Sequence, residues 1–496
     1  MRSWEPERVA RAAGARLLSG AGAPGRQAGP RGATVDSREL TAGRLFVGLP
    51  GENVDGGEYA GRALQAGAWG VLVAPEHARA AARMSGGAAV LSHPDPLAGL
   101  QALARAWRTE LRAAGTKVVA ITGSTGKTST KDILAAILSG SSPAPRGAGE
   151  RNGLAARSAG ALRTFGSPAN FNTEIGLPLA LLAAPRETEA LVLELAMRGA
   201  GQIAELAEIA QPEVAVIVNV GPAHLELLGS LEAVAAAKAE LIAGLAAGAT
   251  AVIPVDEPLL ARHLRADVRT VTFGDGGDVA LLEARADGRL VIARGSETIS
   301  LHPSFGAAHQ LRNLLAAVAA AGALGVSREG RLEVRFSASR GERLALPGGV
   351  VLIDDCYNAN PMSMRAAIDD LAATATGRRV AVLGDMLELG SRARDFHREI
   401  GGYASAQGVD LLVTVGPLAS EMLATFAGEA HSVPDAPAAV ELLQRLIKDG
   451  DTVLVKASRG VGLERVAQAL GAEPERIGEH PADAGGPRPY ARPGRR

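Results

Sequence analysis

Short apolar runs, separated by stretches with helical spacing, constrain the fold of this chain more than any other feature of its sequence. Each run is rich in Val, Leu, Ile and Ala along its length rather than at alternate positions. The runs are KVVAIT (117–122), ALVLEL (190–195), VAVIVNV (214–220), VVLID (350–354), RVAVLG (379–384), DLLVTVG (410–416) and TVLVKA (452–457). Such runs are typical of parallel strands that helices cover on both faces. We therefore predict an α/β protein built on parallel sheets.

The length of the chain predicts more than one domain, because 496 residues exceed what a single hydrophobic core usually holds. The predicted division is a small α/β domain at 1–112, a central domain at 113–326, a C-terminal domain at 327–472 and a disordered tail at 473–496. A further disordered stretch is predicted at 139–153, where Ser, Pro, Gly and Arg are concentrated.

Charge and composition exclude several classes of protein. The formal net charge is −1, which argues against general binding to nucleic acid or to a membrane surface. No apolar run approaches the roughly 18 residues of a membrane span, and the N-terminus lacks the apolar segment of a signal peptide. The single cysteine, Cys356, excludes an intrachain disulfide and fits a reducing compartment. We expect a soluble, cytoplasmic, monomeric protein.

A glycine-rich loop connects one of these strands to a helix. The sequence ITGSTGKTST begins at Ile121, where the usual Walker pattern has glycine, so the loop is a variant of that pattern. Gly123 and Gly126 allow a tight turn whose N–H groups face phosphate oxygens, Lys127 adds a positive charge, and Thr128 offers a hydroxyl to Mg²⁺. An ordinary strand-to-helix turn is the alternative. The complete order of strand, loop and helix favours binding of a nucleoside triphosphate.

Two polar residues follow neighbouring strands and suggest a metal site. Glu194 ends an apolar strand where another aliphatic residue is expected, and His224 lies just beyond the next strand. Open α/β sheets bind ligands at the carboxyl ends of their strands, where Thr128 also lies. Singly, Glu194 fits a solvated strand end equally well, and His224 fits a loop histidine that satisfies backbone groups. Together they indicate Mg²⁺ ligands or their neighbours, although Mg²⁺ prefers oxygen ligands and His224 is the less expected member.

Lysine is rare in this chain, and one lysine occurs in an apolar setting. Lys plus Arg number 52, and the lysines among them are Lys117, Lys127, Lys131, Lys238, Lys448 and Lys456. Ser230 is predicted to cap a helix that runs to about Gly248. The apolar face of this predicted helix carries Leu231, Val234, Lys238, Leu241 and Leu245. Spacing alone favours a lysine whose stem packs while its amine reaches water.

Ordered blocks along nearly the whole chain resemble the Mur ligases, which are ATP-dependent amide-forming enzymes of peptidoglycan synthesis. The blocks are DSRELTAGRLFVGLPGENVDG (36–56), TGSTGKTSTKD (122–132), NFNTEIGLP (170–178), ELAMRGAGQIAEL (194–206), NVGPAHLELLGSLEAVAAAKAEL (219–241), DDCYNANPMSM (354–364), LGDMLELG (383–390) and LVKASRGVGLE (454–464). YNANPMSM and LGDMLELG are typical of the members that add D-alanyl-D-alanine. No D-N-P-R block, typical of the diaminopimelate-adding member, occurs in this sequence.

The resemblance implies three domains: one that binds a UDP-muramoyl-peptide, a central P-loop ATPase domain and a Rossmann-like domain that brings the dipeptide. It implies that ATP activates the carboxylate of UDP-N-acetylmuramoyl-tripeptide as an acyl phosphate, which the amine of D-alanyl-D-alanine attacks. ATP and two Mg²⁺ ions are the implied cofactors. The third residue of the tripeptide, diaminopimelate or lysine, stays open.

The resemblance also implies roles for individual residues. Lys238 would carry a CO₂-derived carbamate, which turns an ammonium that repels Mg²⁺ into an anionic ligand, a change that arginine does not permit. The implied catalytic residues are Lys127, Glu194, His224 and Lys238, and the implied metal ligands are Thr128, Glu194, His224 and Lys238.

The implied ATP contacts come from the phosphate loop and from two later regions. They are Thr122, Gly123, Ser124, Thr125, Gly126, Lys127, Thr128, Ser129, Asn313, Arg340, Asp355 and Tyr357. The implied substrate contacts are Ser37, Arg38, Asn172, Thr173, Asn358, Asn360, Lys456, Ser458 and Arg459.

Departures from the family pattern and rival functions complete the hypothesis. Gly57, Gln310 and Ala457 stand where histidine, asparagine and glycine are usual. Cys356 is interpreted as a bystander rather than a nucleophile, because no general base is identifiable beside it.

The rival functions are a Mur-family ligase that adds a different amino acid and a non-catalytic ATP-binding regulatory module. Glu194, His224 and Lys238 together argue against the regulatory module.

Overall fold

The computed structural model describes residues 1, 3–20, 29–51, 54–140, 160–168 and 170–471, together with the backbone of Glu473–Pro474. The predicted disordered stretch at 139–153 lies outside the described residues from 141 onward. The predicted tail at 473–496 lies outside them except for that dipeptide backbone. Within the described ranges, no helix combines the length and the apolarity that crossing a membrane requires.

The first domain is a five-stranded sheet with helices on its faces. Its strands are β1 Arg16–Ser19, β2 Ala33–Thr34, β3 Leu45–Val47, β4 Gly70–Val73 and β5 Ala89–Ser92, and its helices are α1 Pro6–Ala12, α2 Ala60–Gln65, α3 Pro75–Met84 and α4 Pro96–Ala113. The strand order is β1-β5-β4-β3-β2. All pairs are parallel except β1 with β5. Strands β3 and β4 are buried throughout, which explains their continuous apolar sequence.

The central domain contains a ten-stranded sheet in the order β15-β14-β13-β12-β11-β10-β9-β6-β8-β7. Its strands are β6 Lys117–Thr122, β7 Thr164–Gly166, β8 Ala190–Glu194, β9 Val214–Ile217, β10 Thr250–Pro254, β11 Arg269–Phe273, β12 Val279–Ala284, β13 Leu290–Arg294, β14 Glu297–Pro303 and β15 Gly330–Leu332. Its helices are α5 Lys127–Ser139, α6 Gly176–Ala183, α7 Gln202–Ala210, α8 Leu225–Leu228, α9 Leu231–Ala243 and α10 Ala308–Ala323. Strands β6 to β11 are parallel, so the carboxyl ends of β6, β8 and β9 meet at one edge.

The C-terminal domain contains a seven-stranded sheet in the order β20-β19-β18-β21-β17-β16-β22. Its strands are β16 Glu342–Leu346, β17 Val350–Asp354, β18 Arg379–Gly384, β19 Leu411–Val415, β20 Glu429–Val433, β21 Thr452–Lys456 and β22 Glu473–Pro474, and its helices are α11 Pro361–Thr374, α12 Ala393–Ala406, α13 Ala436–Leu446 and α14 Glu464–Ala469. Strands β17 to β21 are parallel, and β16 runs antiparallel to both of its neighbours.

The structure confirms the predicted α/β fold and every predicted strand, with ends that differ by a few residues. Helix α9 begins after Ser230 as predicted, and the Ser230 hydroxyl accepts a hydrogen bond from Ala233 N (3.2 Å). The predicted end at Gly248 is wrong, because the helix stops at Ala243. The Arg265 guanidinium donates to the carbonyls at residues 242, 243 and 245, and these contacts satisfy the acceptors that a helix end leaves open.

Each of the three predicted segments contains one sheet, but two strands pair outside the segment in which they were predicted. Glu473–Pro474 falls in the predicted disordered tail but pairs with β16 of the C-terminal sheet. Gly330–Leu332 falls in the predicted C-terminal segment but pairs with β14 of the central sheet. A sheet strand shares the hydrogen bonds of its neighbours and cannot move apart from them. We therefore propose that the boundary between the last two domains follows Leu332 rather than residue 326.

Helix α4 joins the first domain to the central one. Trp107 Nε1 donates to Ala184 O (3.2 Å), and fully buried Arg108 donates to Ala210 O (2.8 Å) and pairs with Glu213 (2.8 Å). One apolar core spans both domains and extends from Met1 to Val268, whereas the C-terminal domain packs around separate cores.

Candidate active site

The glycine-rich loop lies between β6 and α5, as the sequence predicts. Gly126 precedes the first turn of α5 with φ +76°, a conformation that favours glycine. A Cβ atom at this position would lie 2.4 Å from Asn313 Oδ1 on α10. Asn313, predicted to contact ATP, therefore lies directly against the loop, and any side chain at residue 126 would displace it.

Asn219 holds the loop, a role that the sequence did not reveal. Its Oδ1 accepts hydrogen bonds from Ser124 N (3.0 Å) and Thr125 N (2.9 Å), and its Nδ2 donates to Thr125 Oγ1 (2.9 Å). These two loop amides, predicted to face phosphate, donate to Asn219 instead. An asparagine inside the apolar run VAVIVNV was the available signal. Strand β9 ends at Ile217, so Asn219 lies beyond the strand and reaches the loop.

Thr128 and Glu194 converge as predicted for a metal site. Thr128 Oγ1 donates to Glu194 Oε2 (2.7 Å), and Asn172 Nδ2 donates to Glu194 Oε1 (2.8 Å). Burial opposes ionisation of Glu194, but the nearby cations Lys127 and Arg340 hold its pKa below the ordinary value. An ionised carboxylate beside a threonine hydroxyl offers two oxygen ligands, which suits Mg²⁺.

Lys127 is half-buried and folds over the loop. Its Nζ donates to Gly123 O (2.9 Å). Burial lowers the pKa of Lys127, while Glu194 opposes that shift. A single carbonyl contact leaves the ammonium with further donors, so Lys127 can turn to a phosphate at the same loop.

Lys238 lies inside the protein, where little of its side chain is left to contact water. The residue is 2% exposed on α9. Among the described residues its amine has neither a hydrogen bond nor an ion pair, and burial, reinforced by Lys127, lowers the pKa of Lys238 well below its ordinary value. Both effects favour the neutral, nucleophilic form of this amine over the ammonium.

His224 contacts the C-terminal domain. Its Nδ1 lies 2.6 Å from Glu388 Oε2, within the LGDMLELG block. Burial lowers the pKa of His224, and Lys127 and Lys238 act in the same direction against the raising effect of Glu388. These effects show that the imidazole and both amines share one electrostatic environment. In the described part of the chain, no three His, Cys, Asp or Glu side chains cluster as a metal site, so any Mg²⁺ site uses Thr128 and few carboxylates.

Arg340 and Tyr357 form a stack at the domain interface. The Arg340 guanidinium lies 3.7 Å from the Tyr357 ring centroid, and Arg459 lies 5.7 Å from the same ring. Arg340 Nε is buried and has no hydrogen-bond partner among the described residues. A buried donor without a partner, close enough to lower the pKa of Glu194, suits an anionic ligand such as phosphate.

Buried Lys456 pairs with half-buried Asp355 in the C-terminal domain. Lys456 Nζ donates to Asp355 Oδ2 (2.6 Å) and to Asn358 O (2.9 Å). The amine of Lys456 thus already has a carboxylate and a carbonyl. Its predicted role as a substrate contact stays a prediction.

Other predicted dipeptide contacts also hold the fold together. Asn360 caps α11 by accepting from Ser363 N (2.9 Å), and its Nδ2 donates to Ser124 O (3.3 Å) in the phosphate loop. Ser458 Oγ accepts from Leu387 N (2.9 Å). The Asn360 contact is a direct hydrogen bond between the C-terminal domain and the phosphate loop.

Three of the predicted substrate contacts lie apart from this cluster. Ser37 and Arg38 follow β2 in the first domain, where exposed Arg38 pairs with Asp36 (2.7 Å) and lowers the pKa of Asp36 to about 2. Thr173 Oγ1 accepts from Gly176 N (3.3 Å) at the start of α6. No contact in the described ranges joins these three predicted residues to the phosphate loop.

Two of the unusual positions have a clear physical setting. A Cβ at Gly57 would lie 2.2 Å from His77 Cδ2, so the His77 ring fills the space of a side chain at residue 57, with Nε2 2.9 Å from Asp55. Cys356 is 3% exposed, and burial raises the pKa of its thiol well above the ordinary value. The thiol is therefore not activated as a nucleophile, which agrees with the interpretation of Cys356 as a bystander.

The sequence matches three family descriptions along its length. Residues 31–108 match "Mur ligase family, catalytic domain", 121–321 match "Mur ligase middle domain", and 339–459 match "Mur ligase, glutamate ligase domain". The UDP-N-acetylmuramoyl-tripeptide–D-alanyl-D-alanine ligase of Bacillus subtilis is 35% identical over 88% of this chain and 93% of its own length. The ligase of the same name from Mycobacterium tuberculosis is 37% identical over 88% and 91%.

Solved structures agree with these sequence matches. A MurF crystal structure from Acinetobacter baumannii aligns with TM-score 0.78 at 27% identity, covering 94% of this chain and 99% of that one. The Thermotoga maritima MurF ligase in complex with ADP aligns with TM-score 0.71 at 30% identity, covering 89% and 97%.

Proposed function

The chain belongs to the Mur ligase family, and we propose that it joins D-alanyl-D-alanine to UDP-N-acetylmuramoyl-tripeptide with hydrolysis of ATP to ADP and phosphate. The observation that carries this proposal is the 35% identity to a ligase of that activity over 93% of that ligase's length. The phosphate loop with converging Lys127, Thr128 and Glu194 supports ATP-dependent ligation.

The proposed reaction begins with transfer of the γ-phosphoryl group to the substrate carboxylate, which gives an acyl phosphate. Lys127 would exchange its contact with Gly123 O for the phosphate oxygens. Arg340 would donate its unpartnered Nε to the same group. Two cations next to the transferred group would stabilise the charge that develops on it. The dipeptide amine then attacks the acyl carbon, the amide bond forms, and phosphate leaves.

The residues fit a Mg²⁺ site made largely of oxygen ligands. Thr128 and Glu194 would hold the ion, with a carbamate on Lys238 and with His224 as further ligands, and the ion would neutralise phosphate charge. We propose two ions, as in the hypothesis from the sequence.

We propose that Lys238 is carbamylated. A neutral amine adds to CO₂ and releases one proton, giving an anionic N-carboxy group, and the lowered pKa of Lys238 favours that neutral amine. The carbamate would replace a partnerless amine with a negative charge beside Lys127 and His224. This converts an electrostatically unfavourable site into one that attracts Mg²⁺.

The roles of the domains and the location follow from the same proposal. The first domain would bind the UDP-muramoyl-peptide through the loop that contains Ser37 and Arg38, and the third would bring the dipeptide through Asn358 and Arg459. UDP-linked precursors and ATP are cytoplasmic compounds, so we propose that the protein acts in the cytoplasm as a monomer.

The function is tested by a phosphate-release assay with two UDP-N-acetylmuramoyl-tripeptides, one containing diaminopimelate and one containing lysine. We expect phosphate release with D-alanyl-D-alanine and at least one tripeptide, and none with Lys127→Met. Release with an L-amino acid but not with D-alanyl-D-alanine would favour the rival ligase. No release with any acceptor would favour the regulatory module.

Carbamylation is tested separately by NMR with ¹³C-bicarbonate. We expect a carbamate carbon signal in the wild-type protein and its absence in Lys238→Arg, the matched control. Equal spectra for the two proteins would contradict the carbamate and leave the ligase activity untouched.

A further inference from the structure

The contact between His224 and Glu388 joins two domains at the edge of the proposed Mg²⁺ site. His224 precedes helix α8 in the central domain, and Glu388 follows β18 in the C-terminal domain. Glu388 holds the ring through Oε2 at 2.6 Å from Nδ1, and Glu388 O also accepts from Glu226 N (3.3 Å). The side chain and the backbone of Glu388 therefore both contact the start of helix α8.

Both residues of the pair have unusual backbone conformations. His224 has φ +57° and Glu388 has φ +62°, in the left-handed region that non-glycine residues rarely adopt. Such conformations persist only where the surrounding structure enforces them, and they concentrate at functional sites. Gly390, also left-handed, lies so close to Glu226 that an added Cβ would approach its Cα to 3.3 Å.

The loop that carries Glu388 is rigidly held within its own domain. Met386 N donates to His397 Nε2 (2.9 Å), and Leu387 N donates to Ser458 Oγ (2.9 Å). Met386 and Leu389 are buried on either side of Glu388. The backbone that carries the half-exposed Glu388 carboxylate is thus fixed, so docking of the C-terminal domain brings this carboxylate to His224.

The contact determines which nitrogen of His224 is available. A carboxylate oxygen accepts a hydrogen bond, so Nδ1 carries the proton of the neutral ring and Nε2 keeps its lone pair. Nε2 has no hydrogen-bond partner among the described residues. Histidines that bind metals commonly have this arrangement, with a carboxylate on the opposite nitrogen.

We propose that Glu388 is a positioning residue: it fixes the orientation and tautomer of His224, and so the C-terminal domain completes the Mg²⁺ site of the central domain. This inference rests on the proposed function. The metal site would then have its full affinity when the domains are docked and a lower affinity when they are apart, which couples metal binding to domain closure.

The test measures metal binding directly, with Mn²⁺ as a paramagnetic substitute for Mg²⁺ in the presence of ADP. We expect Glu388→Ala to weaken Mn²⁺ binding about tenfold by electron paramagnetic resonance. Glu388→Gln, which can still accept from Nδ1, should lose less. Glu399→Ala is the matched control, since Glu399 is a half-exposed carboxylate paired with Arg365 on the outer surface, and it should bind Mn²⁺ as the wild type does.

A double-mutant cycle separates positioning from a general structural effect. In a His224→Ala background, Glu388→Ala should cause no further loss of Mn²⁺ affinity, because its partner ring is absent. Additive losses, equal losses in Glu388→Gln and Glu388→Ala, or wild-type affinity in Glu388→Ala would each overturn the proposal. The Mn²⁺ measurement needs no acceptor substrate, so it stands even if the phosphate-release assay rejects D-alanyl-D-alanine.

The kinetic expectation follows the same logic. Glu388→Ala should lower kcat and raise the Mg²⁺ concentration needed for half-maximal rate, with a smaller change in KM for D-alanyl-D-alanine. High Mg²⁺ should restore part of kcat. A rate that stays low at all Mg²⁺ concentrations while Mn²⁺ affinity is unchanged would contradict the positioning role.

Discussion

Lys238 and Lys456 are equally buried, at 2% exposed each, yet their surroundings are opposite. Lys456 ends a strand of the C-terminal sheet, and its amine meets the Asp355 carboxylate and Asn358 O. Lys238 lies within α9 among alanines, and no hydrogen bond or ion pair reaches its amine from the described residues. Burial alone therefore does not identify the role of a lysine; its partners do.

The difference concerns which form of the amine the fold stabilises. Lys456 and Asp355 form an ion pair that links strand β21 to the segment after β17. Without such a neighbour, burial favours the neutral amine, because a lone buried charge costs several kcal/mol. The surroundings of Lys238 thus favour a nucleophilic amine, whereas those of Lys456 hold a structural ion pair.

Replacing Lys238 should have the largest effect, and the effect should be on activity. Lys238→Ala removes the proposed anionic ligand, so we expect phosphate release to fall about a hundredfold or more. Acetate should restore part of the rate in Lys238→Ala by supplying carboxylate oxygens in the vacated space. Steady-state kcat across a range of acetate concentrations measures this rescue.

Two controls make the rescue specific. Lys238→Arg keeps a positive charge but forms no carbamate, so it should be as inactive as Lys238→Ala and should not respond to acetate. The wild-type enzyme should not respond either. Wild-type activity in Lys238→Arg would remove the distinction between the two buried lysines.

The next largest effect is expected for Lys456→Met, on stability. The substitution leaves the Asp355 carboxylate without its partner, and we expect the free energy of unfolding to fall by about 2 to 3 kcal/mol. Urea denaturation measures the change. Asp355→Asn combined with Lys456→Met should cost less than the sum of the single changes, and additivity would show that the pair is not coupled.

Lys238→Met should change the free energy of unfolding in the opposite direction to Lys456→Met and by a smaller amount. In CO₂-depleted buffer we expect Lys238→Met to raise the free energy of unfolding by about 1 kcal/mol, because it removes a buried amine without a partner. Bicarbonate and Mg²⁺ should stabilise the wild type but not Lys238→Met. Destabilisation by Lys238→Met in CO₂-depleted buffer would mean that the amine has a favourable contact.

The pH dependence of that difference provides a further check. The pKa of Lys238 lies well below its ordinary 10.5 in the folded protein. Between those two pKa values the unfolded chain binds the extra proton, so the stability of the wild type rises with pH. The extra stability of Lys238→Met over the wild type should decrease as pH rises through that window. A difference in stability that does not change with pH would contradict the lowered pKa of Lys238.

Much of the fold and part of the site were predictable because they depend on local sequence. Continuous apolar runs specify buried parallel strands, and the order of Gly126, Lys127 and Thr128 after β6 specifies the phosphate loop. Helical spacing also placed Lys238 on the buried face of α9. What spacing could not show was whether the amine reaches water, because that depends on neighbouring elements.

The unpredicted contacts all require knowledge of how distant segments meet. The sequence places Asn219 at the end of a strand, and only the folded structure shows that it binds the phosphate loop. Asn172 was predicted to contact substrate, but its amide holds Glu194 across two elements. Glu388 meets His224 across 164 positions and a domain boundary, and nothing in either local sequence encodes that distance.

Helix α4 has a mechanical consequence. Because the first and central domains share one apolar core, turning one against the other would expose residues such as Trp107 to water. The C-terminal domain packs around cores of its own and meets the central one through hydrogen bonds such as Asn360 to Ser124 and through Leu225, which packs against one of those cores. We therefore expect the first and central domains to move as one rigid body and the C-terminal domain to move against them. The proposed tripeptide and nucleotide sites would keep their spacing while the proposed dipeptide side moves.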